Sequence, residues 1–481
     1  MKRIYTTLMM MLIVTATLTS CKKFLDVQPE DKVLEEQLFS TKQGVNTALN
    51  GLYLNLSKNN LYGDNLTLST VEILAQRYNI TTIHDQYKSS IYAYGDAPII
   101  SRIDAIWTGA YSTILNINAF EENLIKYSGA INAKTDSIYR GEAICMRAML
   151  HFDLLRLFGP RYNTADSTKN SIPYYTQSGS AIGPLLPANV IMNLITADLA
   201  NAEKLLKADP VIVNGVMPGA LNDGTDFLRN RNYRFNYYAV KALQARVNMY
   251  RGNKVAALAA AKEVIANSGK FPWVTVANAL SEKVNPDRVF TTEMIVGIQC
   301  TQLYSNYLAI FNPDLAEKTI LAPLSGRLAT VYESNENDYR YNLNWIVPSN
   351  GGKTYRTFYK YADVQDKTKT FRFTVPLIKI SEMYYIAAES ETDLTQGYAN
   401  LNTVRNNRGL TSLATGTAAT LNTELQKEHQ KEFFGEGQLF YYYKRRNITT
   451  IPNGAVASGN VTMNASTYVL PLPLSETQIR P

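Results

Sequence analysis

The residues whose type and spacing come nearest to a reaction are two carboxylate pairs: Glu382 and Glu389, seven apart, and Glu428 and Glu432, four apart. Glycoside hydrolysis needs two carboxyl groups ~5–9 Å apart, one to protonate the leaving oxygen and one to act as base or nucleophile. The same spacings also describe charges on solvated helix faces or ion pairs between helices, and that reading is preferred here. The three histidines, His84, His151 and His429, are scattered without HxxxH or HExxH pairing, so no zinc site is predicted. No GxSxG elbow, phosphate-binding loop or dinucleotide fingerprint occurs, and no cofactor is indicated. Asn222-Asp223-Gly224-Thr225-Asp226 faintly resembles a calcium loop but lacks EF-hand spacing and the closing Glu. Arg147 and His151 interrupt an apolar helical run, where polar groups ordinarily hydrogen-bond to neighbouring helices; a structural role is expected.

Cys21 carries a different chemistry. Lys2 and Arg3 precede the apolar stretch Leu8–Leu18, and Leu18-Thr19-Ser20-Cys21 closes it, as in a secretory signal. Eleven residues rise only about 16 Å as a helix, too short for a bilayer core of ~30 Å. The Leu-x-Ser-Cys junction resembles a bacterial lipobox, in which the Cys thiol is diacylated, the chain is cut just before it, and the new α-amine is acylated. Three acyl chains exceed what stable anchoring needs. Residues 1–20 are therefore read as a cleaved signal and Cys21 as a lipid anchor. Cleavage would leave 481 − 20 = 461 residues and lower the formal charge from +7 to +5, since Lys2 and Arg3 are lost. That charge is thinly spread, with Lys444-Arg445-Arg446 the one compact basic run, which argues against nucleic acid. Cys145 and Cys300 lie in apolar runs and read as core, with at most one disulfide between them.

The elements that must position these groups are mainly helical. Val45, Leu49, Leu52 and Leu56 form one stripe in Thr41–Leu56. Ile103–Tyr127 carries Trp107, Tyr111, Ile114 and Ile117 along one side, which marks Trp107 as core. Arg140–Phe158 is apolar on most of its circumference, as in a buried helix, with Asp153 and Arg156 placed to pair. Val190–Lys207 is a further helix. Asn236–Arg251 and Lys254–Asn267, joined at Gly252-Asn253 and rich in alanine, form an αα-hairpin like those of tetratricopeptide proteins, without a recurring 34-residue period. Pro376–Glu391 and Gly397–Asn407 make a second pair, and Leu425–Phe434 begins a final helix. Met294–Gln299 and Tyr468–Leu472 read as short strands. Gly159–Pro187, Ala208–Asn232, Pro313–Val375 and Ile448–Leu470 are long irregular segments of the kind that carry function.

Tyrosine is abundant, 32 residues against 3 Trp. Its flat apolar face and polar edge suit a wet surface that must still grip a ligand.

Seven ordered segments together resemble the SusD/RagB family of outer-membrane nutrient-binding lipoproteins. The start Cys21-Lys22-Lys23-Phe24-Leu25-Asp26-Val27-Gln28-Pro29 is similar to that family's C-x-x-F-L-D-x-x-P opening, and Arg140–Gly159 to its long helix. Lys241–Arg246, Glu293-Met294-Ile295, Ile378–Glu389, Leu401–Arg405 and Leu470–Glu476 follow in the expected order over nearly the whole chain. One departure lies in Glu428–Arg446, where Gln438-Leu439 replaces a usual His-Arg and Tyr442 a usual Asp; aromatic packing is expected there instead.

The resemblance implies a mainly α fold: one large SusD-like domain over 21–481, with an N-terminal part (21–232) and a C-terminal SusD/RagB part (233–481). It implies a protein that is not an enzyme, held at the outer membrane facing outward. Such a protein captures an oligosaccharide or peptide and delivers it to a SusC-like TonB-dependent β-barrel transporter. The Tyr78–Gly95 segment and the loop Gln302–Asp314 are where relatives often contribute contacts, so Tyr78, Tyr94, Tyr304, Tyr307 and Phe311 are the candidate platform, with Trp345 in its loop an outside candidate. The competing readings are a lipid-anchored glycan or peptide hydrolase, resting on the carboxylates, and an assembly scaffold, resting on the helical hairpins.

Overall fold

The structure, a computed structural model, describes residues 30–219, 221 and 226–480. Cys21, the Cys21–Pro29 opening and Asn222–Thr225 lie outside the described residues. Ten helices of ten residues or more organise the described chain: α1 (Glu30–Phe39), α2 (Lys42–Leu56), α3 (Ala97–Lys126), α4 (Ala133–Phe158), α5 (Ala188–Leu205), α6 (Tyr237–Tyr250), α7 (Lys254–Ile265), α8 (Ile380–Ser390), α9 (Leu394–Asn406) and α10 (Ala418–Glu432).

Local chemistry explains where they start. Thr41, Asn132, Asn236, Asn253 and Thr417 each accept a hydrogen bond from a backbone N–H three residues on, at 2.9–3.2 Å. These caps satisfy donors that a helix leaves orphaned, for about 1 kcal/mol each. In α2 the predicted stripe is the buried one. In α4 every residue from Gly141 to Phe158 is buried, so this helix is the axis around which the rest packs.

Each consecutive pair from α3 to α9 packs side by side. The α6–α7 hairpin turns at Gly252, whose φ of +83° is open to glycine at no steric cost. Buried Ala239, Ala242, Ala245, Ala257 and Ala261 let neighbouring helices approach closely. The hairpin expected in isolation is thus part of a longer array, and irregular insertions between α5 and α6 and between α7 and α8 hide its period in the sequence.

Strand β1 (Met294–Gln299) pairs antiparallel with β2 (Thr374–Lys379), Ile298 facing Val375 and Gln299 facing Thr374. Here the expected Pro376–Glu391 helix is corrected: its first four residues are strand, because Pro376 has no N–H for a helix interior and all six β2 side chains are buried. The expected Tyr468–Leu472 strand is also absent; Ala465–Tyr468 is one helical turn closed by an Asn464/Thr467 capping box. The Gln302–Asp314 loop contains a helix, Leu303–Ile310, and the last long helix begins at Ala418 rather than Leu425. Cys145 and Cys300 are buried free thiols. One large core runs from Phe39 to Leu470, and a smaller one joins α8, α9 and α10 around Tyr385, Leu401 and Leu425.

Candidate functional site

The four candidate carboxylates are committed to cations. Glu382 holds Arg246 by two hydrogen bonds of 2.6 Å. Glu389 accepts from Arg445 at 2.6 and 2.8 Å and from Arg446 at 2.8 Å. Glu428 meets Arg340 at 2.9 Å and Arg405 at 3.2 Å. Glu432 meets Arg408 at 2.8 Å, Lys379 at 3.0 Å and Arg340 at 3.0 Å. Burial by itself would raise the Glu432 carboxyl, but Arg408 and Lys379 outweigh it and hold the group well below the usual range. Burial likewise opposes ionisation of Glu389, and Arg445 overcomes it, bringing the group down to about 2. A carboxylate so deeply acidic is a poor proton donor at neutral pH. These are inter-helix ion pairs.

The other polar interruptions are also structural. Arg147 makes two bonds to Asp198, 2.7 and 2.8 Å, and one to Glu121, 3.1 Å. His151 sits against the Arg147 carbonyl through Nδ1 (3.0 Å) and accepts from the Tyr175 N–H at Nε2 (3.1 Å). Of the basic run, Lys444 donates to the Arg156 and Gly159 carbonyls at the end of α4, 2.6 and 2.8 Å, and both arginines serve Glu389. At the departure from the family pattern, Gln438 accepts from Arg156 at 3.1 Å, and Tyr442 stacks on His429 with centroids 4.0 Å apart.

The candidate platform divides. Phe311 and Trp345 are fully buried and Tyr78 is 2% exposed. They belong to one aromatic cluster: Tyr78 on Phe311 (6.1 Å), Phe311 on Phe358 (4.9 Å), Trp345 on Phe358 (4.7 Å) and on Phe434 (4.8 Å). The Trp345 indole donates to Tyr332 Oη at 3.2 Å and the Tyr78 hydroxyl to the Leu68 carbonyl at 2.8 Å. With both faces and the polar edge used, these three rings are core in this structure, and the expectation of a ligand-facing surface is corrected for them. Tyr307 is nearly buried and stacks on the half-buried Tyr304 at 6.1 Å. Tyr94 is half-buried, its hydroxyl donating to the Thr467 carbonyl at 2.6 Å.

Beyond the ring contact of Tyr78 with Phe311, the first predicted segment, Tyr78–Gly95, hydrogen-bonds to the stretch that follows the second rather than to the Gln302–Asp314 loop itself. Asn79 N–H donates to the Ala322 carbonyl (2.8 Å), Asp85 N–H to that of Lys318 (2.9 Å), and His84 Nε2 lies 3.2 Å from that of Ile320. A shallow groove runs along this seam. One part, about 70 Å³, is lined by Gln76, Arg77, Arg327, Gln430 and Tyr443; the next, about 50 Å³, by Asn79, Glu317, Ser325 and Tyr355. Pro323 belongs to both. The groove is rigidly built. Gln76 is held at φ 58°, a left-handed conformation unusual outside glycine, and donates from Nε2 to the Ser90 carbonyl at 2.6 Å. Arg77 lies 3.8 Å over the Phe434 ring and 3.1 Å from Glu72. Arg327 reaches across to the Val456 carbonyl, 2.8 Å, and pins the 453–459 turn.

At its outer end Glu317 accepts from Lys353 (2.8 Å) and Tyr355 (2.9 Å). Slight burial works against ionisation, and those two hydrogen bonds prevail, so its carboxyl is lowered and stays charged at neutral pH. The groove therefore offers amide, guanidinium, carboxylate and phenol groups beside the apolar wall of Leu328, Val331, Phe434 and Pro452, and is too small to enclose a sugar. Gln76, Arg327, Glu317, Lys353 and Tyr355 carry no sequence signal of this role; only the Asn453-Gly454 turn marks one of its walls.

Residues 23–210 match the SusD-like_3 family, described as starch-binding and associating with the outer membrane. SusD-like protein P2 of Formosa agariphila is 24% identical over 96% of this chain and 95% of its own length. SusD-like protein P38 of the same organism is 24% identical over 55% of this chain, a match spanning only 46% of that relative. The fold superposes on a SusD superfamily protein of Bacteroides thetaiotaomicron with a TM-score of 0.73 at 20% identity, covering 92% of this chain and 98% of that one. It also superposes on a SusD-like carbohydrate-binding protein of Bacteroides vulgatus with a TM-score of 0.69 at 16% identity, covering 91% and 96%. The fold is the mainly α one of the SusD superfamily structures. Among the described residues no helix is long and apolar enough to cross a membrane.

Proposed function

We propose that this chain is a non-enzymatic, cell-surface saccharide-binding lipoprotein. Acylated at Cys21, it holds an oligosaccharide (or a peptide) along the 76–79/317–327 groove and passes it to a SusC-like TonB-dependent outer-membrane transporter. The observation that supports this most is the SusD-like fold over 92% of the chain, shared with a SusD-like carbohydrate-binding protein of Bacteroides vulgatus. The groove adds hydrogen-bonding groups, with half-buried Tyr94 and Tyr304 as the remaining aromatic candidates. The locking of Glu382, Glu389, Glu428 and Glu432 in ion pairs weighs against the hydrolase reading. The test has two parts: mild detergent extraction of native membranes should co-purify a large β-barrel with the acylated chain, and calorimetry should detect an unmodified saccharide. Purification alone, with no heat from a broad glycan and peptide panel, would favour the scaffold reading instead.

A further inference from the structure

A second cleft shares no lining residue with this groove. It measures about 560 Å³, within the range of ligand sites, and is lined by residues on both sides of the division at position 232, among them Asn230, Tyr233, Lys270, Thr291, Thr292 and Thr370. Its walls are set before any ligand arrives. Asn230, at φ 47°, and Met217, at φ 52°, adopt the left-handed conformation, and Asn230 clamps the 217–219 turn by donating its N–H to the Met217 carbonyl (3.0 Å) and accepting from the Gly219 N–H (3.1 Å). Non-glycine residues held so are strained, and strain of this kind gathers at ligand sites. Tyr233 is fixed through its hydroxyl to Thr374 (2.9 Å), and Thr291 through its hydroxyl to Asp287 (2.6 Å).

The lining mixes apolar and neutral polar groups: Val213, Val216, Met217 and Pro272 stand beside hydroxyls and amides, and among the described residues it holds no Asp or Glu and a single cation, Lys270. That ammonium donates to the Asn267 side-chain oxygen at 3.1 Å and sits 5.7 Å from the Tyr238 ring; among the described residues it is paired with no carboxylate. Most other cations close to the core are spent on carboxylates, so a half-buried lysine left with neutral partners in such a cleft offers its charge to something outside the chain.

We propose that this cleft is a second saccharide site whose ligand carries an anionic group, a sugar carboxylate or a sulfate ester, received by Lys270 while Asn230, Thr291, Thr292 and Thr370 meet its hydroxyls. The proposal rests on the saccharide-binding reading above and deepens it. Calorimetry on the purified full chain tests it with three probes: trigalacturonate, its fully methyl-esterified form and a sulfated trisaccharide. At least one anionic probe should bind about tenfold more tightly than the neutral ester, a difference that shrinks as salt is raised. The tighter anionic probe identifies the group as carboxylate or sulfate. Lys270→Gln should erase that preference, and Thr292→Trp, which fills the cleft from an exposed position, should abolish binding of the same probe. Arg327→Ala, in the groove, should leave it unchanged.

Equal affinity for ester and anions, or an anion preference that survives Lys270→Gln, overturns the second site. Loss of the anionic probe in Arg327→Ala, with binding kept in Lys270→Gln and Thr292→Trp, does so too while leaving the saccharide-binding reading intact. No saccharide bound anywhere would remove both.

Discussion

Glu432 and Arg408 face each other with no solvent access to either side chain, joined by hydrogen bonds of 2.8 and 3.0 Å. Arg408 continues to Glu293, again bidentate, at 2.6 and 2.9 Å, so one guanidinium ties α10 to the start of β1. Removing one partner of such a pair strands the other charge in the core. Glu432→Ala should cost about 3–5 kcal/mol of stability, read as a fall in the denaturation midpoint. If Glu432 were instead a catalytic carboxylate, Glu432→Gln would fold normally and lose a product-forming activity; a fully stable, altered catalyst would refute the structural assignment.

Gly454 lies against the groove wall. A Cβ there would stand 2.5 Å from the Tyr78 carbonyl oxygen and 2.6 Å from that of Gln76, both backbone atoms. Gly454→Ala must push the 453–459 turn away from residues 76–78. Overpacking of this kind costs about 1–3 kcal/mol. Saccharide affinity should fall together with the melting temperature, whereas Gly51→Ala, in α2 with nothing within 4 Å of the added Cβ, should leave the groove's affinity intact.

The aromatic candidates can be separated by one set of alanine variants. Tyr304→Ala should weaken saccharide binding by about 1 kcal/mol with little change in stability, since its ring is half-buried. Phe311→Ala and Trp345→Ala should each lower stability by about 3–5 kcal/mol, because their rings fill the core. Calorimetry beside thermal melts distinguishes the two behaviours; unchanged affinity in Tyr304→Ala would remove it from the platform.

Acid should unfold the protein through its buried histidines. Burial pushes the His151 imidazole down to about 3 and that of His429 to about 4, from 6.5. Below pH 6.5 the unfolded chain takes up protons that the folded one refuses, so stability is whole above pH 6.5 and falls as pH drops towards about 4 and about 3. Each unit of that gap is worth about 1.4 kcal/mol. Urea midpoints measured from pH 7 to pH 4 should fall, and His151→Gln, able to keep both hydrogen bonds, should flatten the slope. An unaltered slope would show that His151 takes no part.

Cys21 is tested by fractionation. Cys21→Ser should shift the protein from the membrane to the soluble fraction, since a single remaining apolar leader is a weak anchor once cleaved or retained. Unchanged membrane retention would refute the acylated tether.

What the chain's own order of residues determined is local. The buried stripe of α2, the apolar circumference of α4, the cap residues and the strand at Met294–Gln299 all follow from periodicity and capping chemistry, which act within a few residues. The ordered segments likewise pointed to the SusD-like fold. Only the tertiary structure decided which aromatics meet solvent: Trp345 sits in a segment that reads as loop, yet Phe358 and Phe434 enclose it from 13 and 89 positions away. Only folding, too, turned Glu382, 136 residues from Arg246, into half of a buried ion pair. The groove and the larger cleft are each assembled from segments more than a hundred residues apart. Hydrophobic periodicity records which face of an element turns inward, but exposure and charge pairing depend on what arrives opposite that face, and distant parts of the chain supply it.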